Sequence, residues 1–211
     1  ARPGGAAEGQ AGSALADAVL RPDLMMPAQE AAALATAYRA ASVILEYGSG
    51  GSTVMAGEMA GKTIFAVESD RGWLRRMQDW FAANPPVSPV TLHWGNIGET
   101  RKWGHPKGEG DWRRFADYPL SVWDRPDFRH PDVVLVDGRF RAGCLLATAL
   151  RALRPVVVMF DDYGPRDAYR AVERFVAPAA MVGRMARFEV APMRLDTADL
   201  RAVMTLMQEP L

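Results

Sequence analysis

Three stretches of the chain, one glutamate and one histidine carry side chains whose types and spacing suit chemistry. Glu46-Tyr47-Gly48-Ser49-Gly50-Gly51-Ser52 joins glycines to hydroxyls directly after an apolar run. Glycines take up positive φ without steric cost and let a ligand touch the backbone, and a helix opening there offers free N–H groups. Glu68 comes twenty residues after Gly48, where a carboxylate ending a second strand can accept both hydroxyls of a ribose. Asp137, in Val-Leu-Val-Asp-Gly-Arg-Phe-Arg, and Asp161-Asp162-Tyr163 close two further apolar runs. Three converging carboxylates can hold Mg²⁺ or a similar hard cation, and one alone can serve as general base. The same acids can instead cap helices or pair with Arg139, Arg141 or Arg166. His105, beside Trp103 and Gly104, is the histidine best placed for acid–base work; His93 and His130 fall within or just before strands.

These residues need elements to position them, and the pattern supplies strands alternating with helices. Ser42–Tyr47 reads as a buried strand, and Thr63–Val67, Val90–Trp94, Asp132–Val136 and Val156–Phe160 read as further strands. Helices are expected from Pro27 to Ala41, Ser52 to Ala60, Asp70 to Ala83, Phe140 to Leu153 and Arg166 to Ala177. The third of these sets Trp73, Met77, Trp80 and Phe81 on one face. Arg184–Val190 and Arg201–Met207 read as two strands without a helix between them. The expected architecture is α/β: a mostly parallel sheet of seven strands with a C-terminal antiparallel hairpin and helices on both faces. Glycine-rich residues 1–26 are expected to form a flexible arm, with at most a weak turn at Leu15–Leu20, ahead of a single domain at 27–211.

Composition narrows the function classes. The 211 residues carry 25 Lys and Arg against 25 Asp and Glu, a formal net charge of zero, which argues against a general nucleic-acid binder. No apolar run reaches the roughly 18 residues of a membrane span, and no secretory signal pattern is present at the start. Cys144 is the only cysteine, so a disulfide framework and a cysteine zinc cage are excluded and a reducing, cytoplasmic setting is expected. The expected partner is a small molecule, with a homodimer as a further option.

A dinucleotide fingerprint would run Gly48, Gly50 and a third glycine, but position 53 is Thr. Glu46 also sets negative charge beside any phosphate, whereas it suits a ligand carrying an ammonium or sulfonium. A nicotinamide-dependent oxidoreductase is therefore disfavoured. Glu-x-Gly-x-Gly followed by the acid at Glu68 resembles the class I S-adenosylmethionine-dependent methyltransferases, over roughly Ser42 to Met207. The resemblance implies that Gly48, Ser49 and Gly50 line the methionine moiety, Glu46 helps hold its amino group and Glu68 binds the ribose. It further implies that Asn96 meets the adenine amino group and Ile97 packs on the ring. The acids after the fourth and fifth strands resemble those of metal-dependent catechol-type O-methyltransferases, making Asp137, Asp161 and Asp162 candidate metal ligands. Two features depart from that pattern: position 162 is Asp rather than Asn, and Phe140 replaces a lysine. Without metal, Asp137 is the candidate base, and Arg139 and Arg141 are candidate anchors for an acidic substrate. A methyltransferase-like protein that binds cofactor without turnover is the alternative.

Glu99–His130 breaks the strand–helix rhythm. It contains Trp103, Trp112, Phe115, Tyr118, Trp123 and Phe128, too many aromatics for a disordered segment. It is expected to form an irregular lid over the adenine and methyl-donor end; the alternative is a satellite core or dimer contact.

Overall fold

The computed structural model of the chain describes residues 20–211. The expected turn at Leu15–Leu20 falls almost wholly outside them, as does most of the expected arm. From Arg21 to Pro27 the backbone runs along the body. Arg21 pairs with Glu58, and Asp23 and Leu24 lie so close over Gly51 that any side chain there would collide with their backbone.

Pro27, with φ −58°, leads into α1 (Ala28–Ala40). There follow β1 (Val43–Tyr47), α2 (Gly51–Glu58), β2 (Thr63–Glu68), α3 (Arg71–Ala83) and β3 (Val90–Trp94). Asp70 caps α3 by accepting the Trp73 backbone N–H at 2.9 Å. A two-stranded ribbon, β4 (Thr100–Arg101) and β5 (His105–Pro106), precedes the short α4 (Asp117–Leu120). The chain then alternates again through β6 (Val133–Val136), α5 (Arg141–Arg151) and β7 (Val156–Phe160), and ends with β8 (Ala180–Val182), β9 (Met185–Val190) and α6 (Leu200–Gln208).

The seven-stranded sheet has the order β3-β2-β1-β6-β7-β9-β8, with β9 antiparallel to both its neighbours and every other pairing parallel. This is the expected architecture, but its last part is built from other residues. Arg201–Met207 is helix, not strand. Val203, Leu206 and Met207 recur at helical spacing and are buried, and Gly143 of α5 lets the Met207 backbone approach to where a Cβ would sit 2.9 Å from its Cα. The hairpin partner is instead Ala180–Val182, joined to β9 through Gly183 at φ +56°. Arg166–Ala177 is also no α-helix; Asp167–Arg174 forms 3₁₀ turns that bury Tyr169 and Val172.

Two cores flank the sheet. Ile44, Ile64, Leu135 and Met159 face α1 and α2, while Leu45, Tyr47, Phe65, Val134, Val136 and Phe160 face α5, α6 and the segment before β6. Within Glu99–His130 the aromatic residues differ in burial. Phe115, Tyr118, Val122 and Trp123 belong to the core, and the Trp123 indole donates to the Tyr47 hydroxyl, which donates to the Pro119 carbonyl (both 2.7 Å). This half fills the place that a crossover helix takes elsewhere in the sheet. Trp103 and Trp112, by contrast, are exposed.

Candidate functional site

Strand register sets the site. Tyr47 lies opposite Val67 and Val136, and Val136 opposite Phe160. The next residues, Gly48, Glu68, Asp137 and Asp161, therefore emerge side by side at the carboxyl edge, where β1 marks the reversal of strand order. Ligands of open α/β sheets collect there. The loops after β1 and β6 meet backbone to backbone: a Cβ on Gly48, which has φ +101°, would lie 2.9 Å from the Gly138 nitrogen. Gly138 in turn touches the Tyr118 hydroxyl, and a Cβ on Gly95 would lie 2.8 Å from the Tyr118 ring. The glycine of Gly95-Asn96-Ile97 thus makes room for Tyr118. Gly50 differs from these, because its Cβ direction opens on free space. A ligand can reach the loop backbone there.

Glu46 is completely buried on the α1 side of β1. It accepts from the hydroxyls of Tyr38 and Thr53, and Thr53 also accepts the Gly50 N–H at 3.0 Å. Thr53, conspicuous in the sequence only as a missing glycine, ties the acid to the glycine loop. Burial pushes the Glu46 carboxyl up to about 7, with the two hydroxyls opposing the shift.

Glu68 is folded onto the same loop. One oxygen accepts from Ser49 Oγ (3.1 Å) and Ser49 N (3.3 Å), the other from the backbone N–H groups of Ser69 (2.8 Å) and Asp70 (2.9 Å). Burial raises its pKa, and these donors hold it back. A strap formed by Lys102–Pro106 passes over this carboxylate. Ser69 Oγ donates to the Gly104 carbonyl at 2.9 Å, and a Cβ on Gly104 would lie 3.4 Å from Glu68 Oε1. Trp103 and Gly104 are consecutive left-handed residues, φ +66° and +69°, and a non-glycine in that conformation costs about 1–3 kcal/mol. Phe140 (φ +53°) and Asp162 (φ +57°) are strained likewise, so all three non-glycine outliers among the described residues lie in loops at this edge.

Asn96 opens on a cavity of about 450 Å³ beyond β2 and β3, shared with Asp70, Arg71 and Trp94. Its side-chain carbonyl accepts the Gly98 N–H at 3.1 Å. Ile97 is fully buried in the core rather than lining that cavity; its neighbours Phe115 and Tyr118 come from a segment whose packing sequence alone did not reveal.

Asp137, Asp161 and Asp162 bring carboxylate oxygens within 4.8 Å of one another. Each is engaged by arginine. Arg184 grips Asp161 at 2.7 and 3.0 Å and reaches Asp162 at 3.1 Å; Arg166 lies 3.3 Å from Asp162, and Arg141 lies 3.2 Å from Asp137. These guanidinium groups engage both oxygens of Asp161 and of Asp162, so the cluster as paired presents a cation with a free oxygen on Asp137 alone. The protein packed around the Asp137 carboxyl pushes it up to about 6, although part of the side chain reaches solvent; Arg141 opposes this, while Asp161 and Asp162 add to it. Asp137 alone of the three keeps substantial solvent access, with a little over a third of its side chain exposed.

Arg139 and Arg141, equivalent in the sequence, have different fates. Arg141 donates to the carbonyls of Gly138 (2.9 Å), Asp161 (2.7 Å) and Asp137 (3.0 Å) besides its ion pairs. It is consumed by structure. Arg139 is 8% exposed and has no carboxylate within ion-pair distance among the described residues. Its Nη1 donates to His105 Nε2 at 2.8 Å, and its buried Nε finds no acceptor. His105 is held below its ordinary value by burial and then by Arg139, Arg101, Arg166 and Arg141. Its Nε2 lone pair is turned to Arg139, so it does not face Asp137 as a paired base. His93 bonds Ser121 Oγ at 2.7 Å, His130 accepts the Leu153 N–H at 2.9 Å, and Cys144 is buried in α5.

No protein-family model matches the sequence, and no curated protein matches it either. Among solved structures, a methyltransferase-like protein from Silicibacter pomeroyi is 52% identical, with a TM-score of 0.87 over 90% of this chain and 99% of that one. A methyltransferase from Geobacter sulfurreducens (12% identity, TM-score 0.51, 79% of this chain and 80% of that one) shares the fold. So does the O-methyltransferase TomG of Streptomyces achromogenes, solved in complex with S-adenosylmethionine (17%, TM-score 0.53, 82% and 83%). Among the described residues no helix is long and apolar enough to cross a membrane. Half of its residues are shared with the Silicibacter protein along almost that protein's whole length, and the chain belongs to the class I S-adenosylmethionine-dependent methyltransferases.

Proposed function

We propose that the chain transfers a methyl group from S-adenosylmethionine to a hydroxyl of a small polar acceptor. The observation that carries this reading is the junction of Glu68 with the glycine loop through Ser49, beside the open approach over Gly50. Ribose hydroxyls would replace the Ser49 donors on Glu68 once the Lys102–Pro106 strap lifts. The loop backbone would line the methionine moiety, with Glu46 behind it. Asn96 would present its amide toward adenine from the cavity beyond β3, and Ile97 would support the ring's surroundings from the core. When bound, S-adenosylmethionine supplies an electrophilic methyl on a sulfonium.

The chain's own task is to orient the acceptor and take its proton. Asp137, at the edge of the next strand and partly open to solvent, is the base this reading assigns. A carboxyl near 6 is ionised at neutral pH yet more basic than an ordinary aspartate. His105 holds Arg139 in place. Arginine takes the oxygens of Asp161 and Asp162, so the reading uses no metal at that cluster.

Titration calorimetry with S-adenosylhomocysteine tests the cofactor site. Glu68→Ala should weaken binding by about 1.5–3 kcal/mol, the scale of losing hydrogen bonds to a charged group. Unchanged affinity removes the ribose assignment. Tight binding without transfer to any hydroxyl acceptor would leave a cofactor-binding protein instead.

A further inference from the structure

Buried guanidinium groups in proteins are ordinarily matched by carboxylates, and at this sheet edge the matching stops one short. Arg141, Arg166 and Arg184 are balanced by Asp137, Asp161 and Asp162. Arg139 stands outside that pairing: it is a buried guanidinium that no carboxylate reaches within ion-pair distance among the described residues.

The bonding of Arg139 shows which side of it is reserved. Nη1 is fixed on His105. Nε, on the opposite edge, has no acceptor, and Nη2 beside it makes no hydrogen bond among the described residues. Nε and Nη2 form the planar fork that binds a carboxylate or phosphate through two parallel hydrogen bonds. Gly104 of the strap lies against the stem of this side chain, with its Cβ direction 3.8 Å from Arg139 Cγ. The strap that covers Glu68 therefore also packs on the stem of Arg139, and through His105 it holds one edge of the guanidinium.

We propose that Arg139 is the anion-binding residue of the acceptor subsite and that the methyl acceptor carries a carboxylate or phosphate. This rests on the reading of the neighbouring edge as the cofactor site. His105 is the positioning residue: it fixes one edge of the guanidinium so that the other meets the anion. Arg141 takes no part in recognition.

The test is ligand-observed NMR titration with benzoate, phenyl phosphate and benzamide at fixed ionic strength, with and without saturating S-adenosylhomocysteine. At least one anion should bind about ten-fold or more tightly than benzamide, the scale of a hydrogen bond to a charged partner. Preference for benzoate identifies a carboxylate acceptor, and preference for phenyl phosphate a phosphate. Arg139→Gln should abolish the preference. Arg139→Lys, which keeps the charge but loses the fork, should restore only part of it. Arg101→Gln, on an exposed arginine, should change affinity less than about two-fold. Circular-dichroism melts establish that each variant is folded, and Arg139→Lys decides the matter should Arg139→Gln fail to fold. Equal binding of all three probes, or an unaltered preference in either Arg139 variant, overturns the proposal. Loss of S-adenosylhomocysteine binding with the anion preference intact overturns the cofactor reading alone.

Discussion

Glu68 ends β2 and Asp161 follows β7 in the same parallel array, and both are almost completely buried, yet the molecule neutralises them by opposite means. Around Glu68 the donors are backbone N–H groups and one serine, all uncharged and replaceable by the hydroxyls of a ligand. Around Asp161 the donor is the Arg184 guanidinium, gripping both oxygens. The first arrangement leaves a carboxylate free to exchange partners. The second is a fixed ion pair that pins the β8–β9 turn, and through the Arg184 bond to the Met25 carbonyl the incoming chain, to the sheet. One half of the edge is built for exchange and the other for rigidity, with Gly48 and Gly138 as the joint between them.

The largest effect is expected at that joint. Gly138→Ala would drive a methyl into the Tyr118 hydroxyl and to 2.8 Å from the Gly48 nitrogen, and neither neighbour is a free side-chain end. Urea unfolding should show a loss of about 3 kcal/mol, the upper range for overpacking. A loss below 1 kcal/mol, roughly the ordinary effect of a point mutation, would mean the two loops move independently.

Glu46 gives the next effect. Its carboxyl lies near 7 in the fold against 4.5 unfolded, so between those values the native state binds more protons. The contribution of this residue to stability therefore falls as pH rises from 4.5 to 7, by on the order of 3 kcal/mol in total. Glu46→Gln should flatten the pH dependence of stability across that window relative to the parent protein. Parallel pH profiles for the two would show that Tyr38 and Thr53 hold a carboxylate in its ordinary range.

A direct comparison of the two acids sharpens the contrast. In Asp161→Asn an amide N–H₂ meets the Arg184 fork, and the charge pairing is lost. In Glu68→Gln the amide N–H₂ can turn to Ser49, whose hydroxyl rotates to accept, so that only the long bond from the Ser49 backbone N–H (3.3 Å) is given up. The first should cost about 2 kcal/mol in thermal unfolding and the second less than about 1 kcal/mol. Equal costs would erase the distinction between a fixed and an exchangeable carboxylate. The smallest signal is optical. Exposed Trp103 sits on the strap, so S-adenosylhomocysteine should shift its emission in a protein whose other tryptophans are replaced by Phe. A spectrum unchanged at saturation would show that the strap stays in place.

The sequence makes the sheet edge legible and its wiring less so. Five strands are readable to within a residue or two: four because buried parallel strands are continuous apolar runs ended by glycine or acid, and the half-buried edge strand β3 because Val90, Leu92 and Trp94 alternate with Thr91 and His93. Ala180–Val182 is not, since its three residues are largely exposed and lack alternation. Arg201–Met207 misleads because its Val and Thr resemble strand formers, although the spacing of Val203, Leu206 and Met207 already matches a helix. Within the site, Gly48, Glu68 and Asp137 announce themselves by position. The partnership of Glu46 with Tyr38 and Thr53 depends on how α1 docks, and no local pattern encodes that. The same holds for Arg139 and Arg141. Two residues apart, they are separated in role by the left-handed turn at Phe140.

The contact between Gly48 and Gly138 also bears on how such a protein can diversify. Where two main chains touch, no side chain exists for mutation to adjust, and any residue larger than glycine at either position separates the loops. Drift in acceptor preference is thereby displaced to positions that can vary without disturbing the joint. The Lys102–Pro106 strap and the 3₁₀ turns after Arg166 are the segments that meet this condition. Relatives that act on different acceptors would be expected to diverge there while both glycines stay fixed.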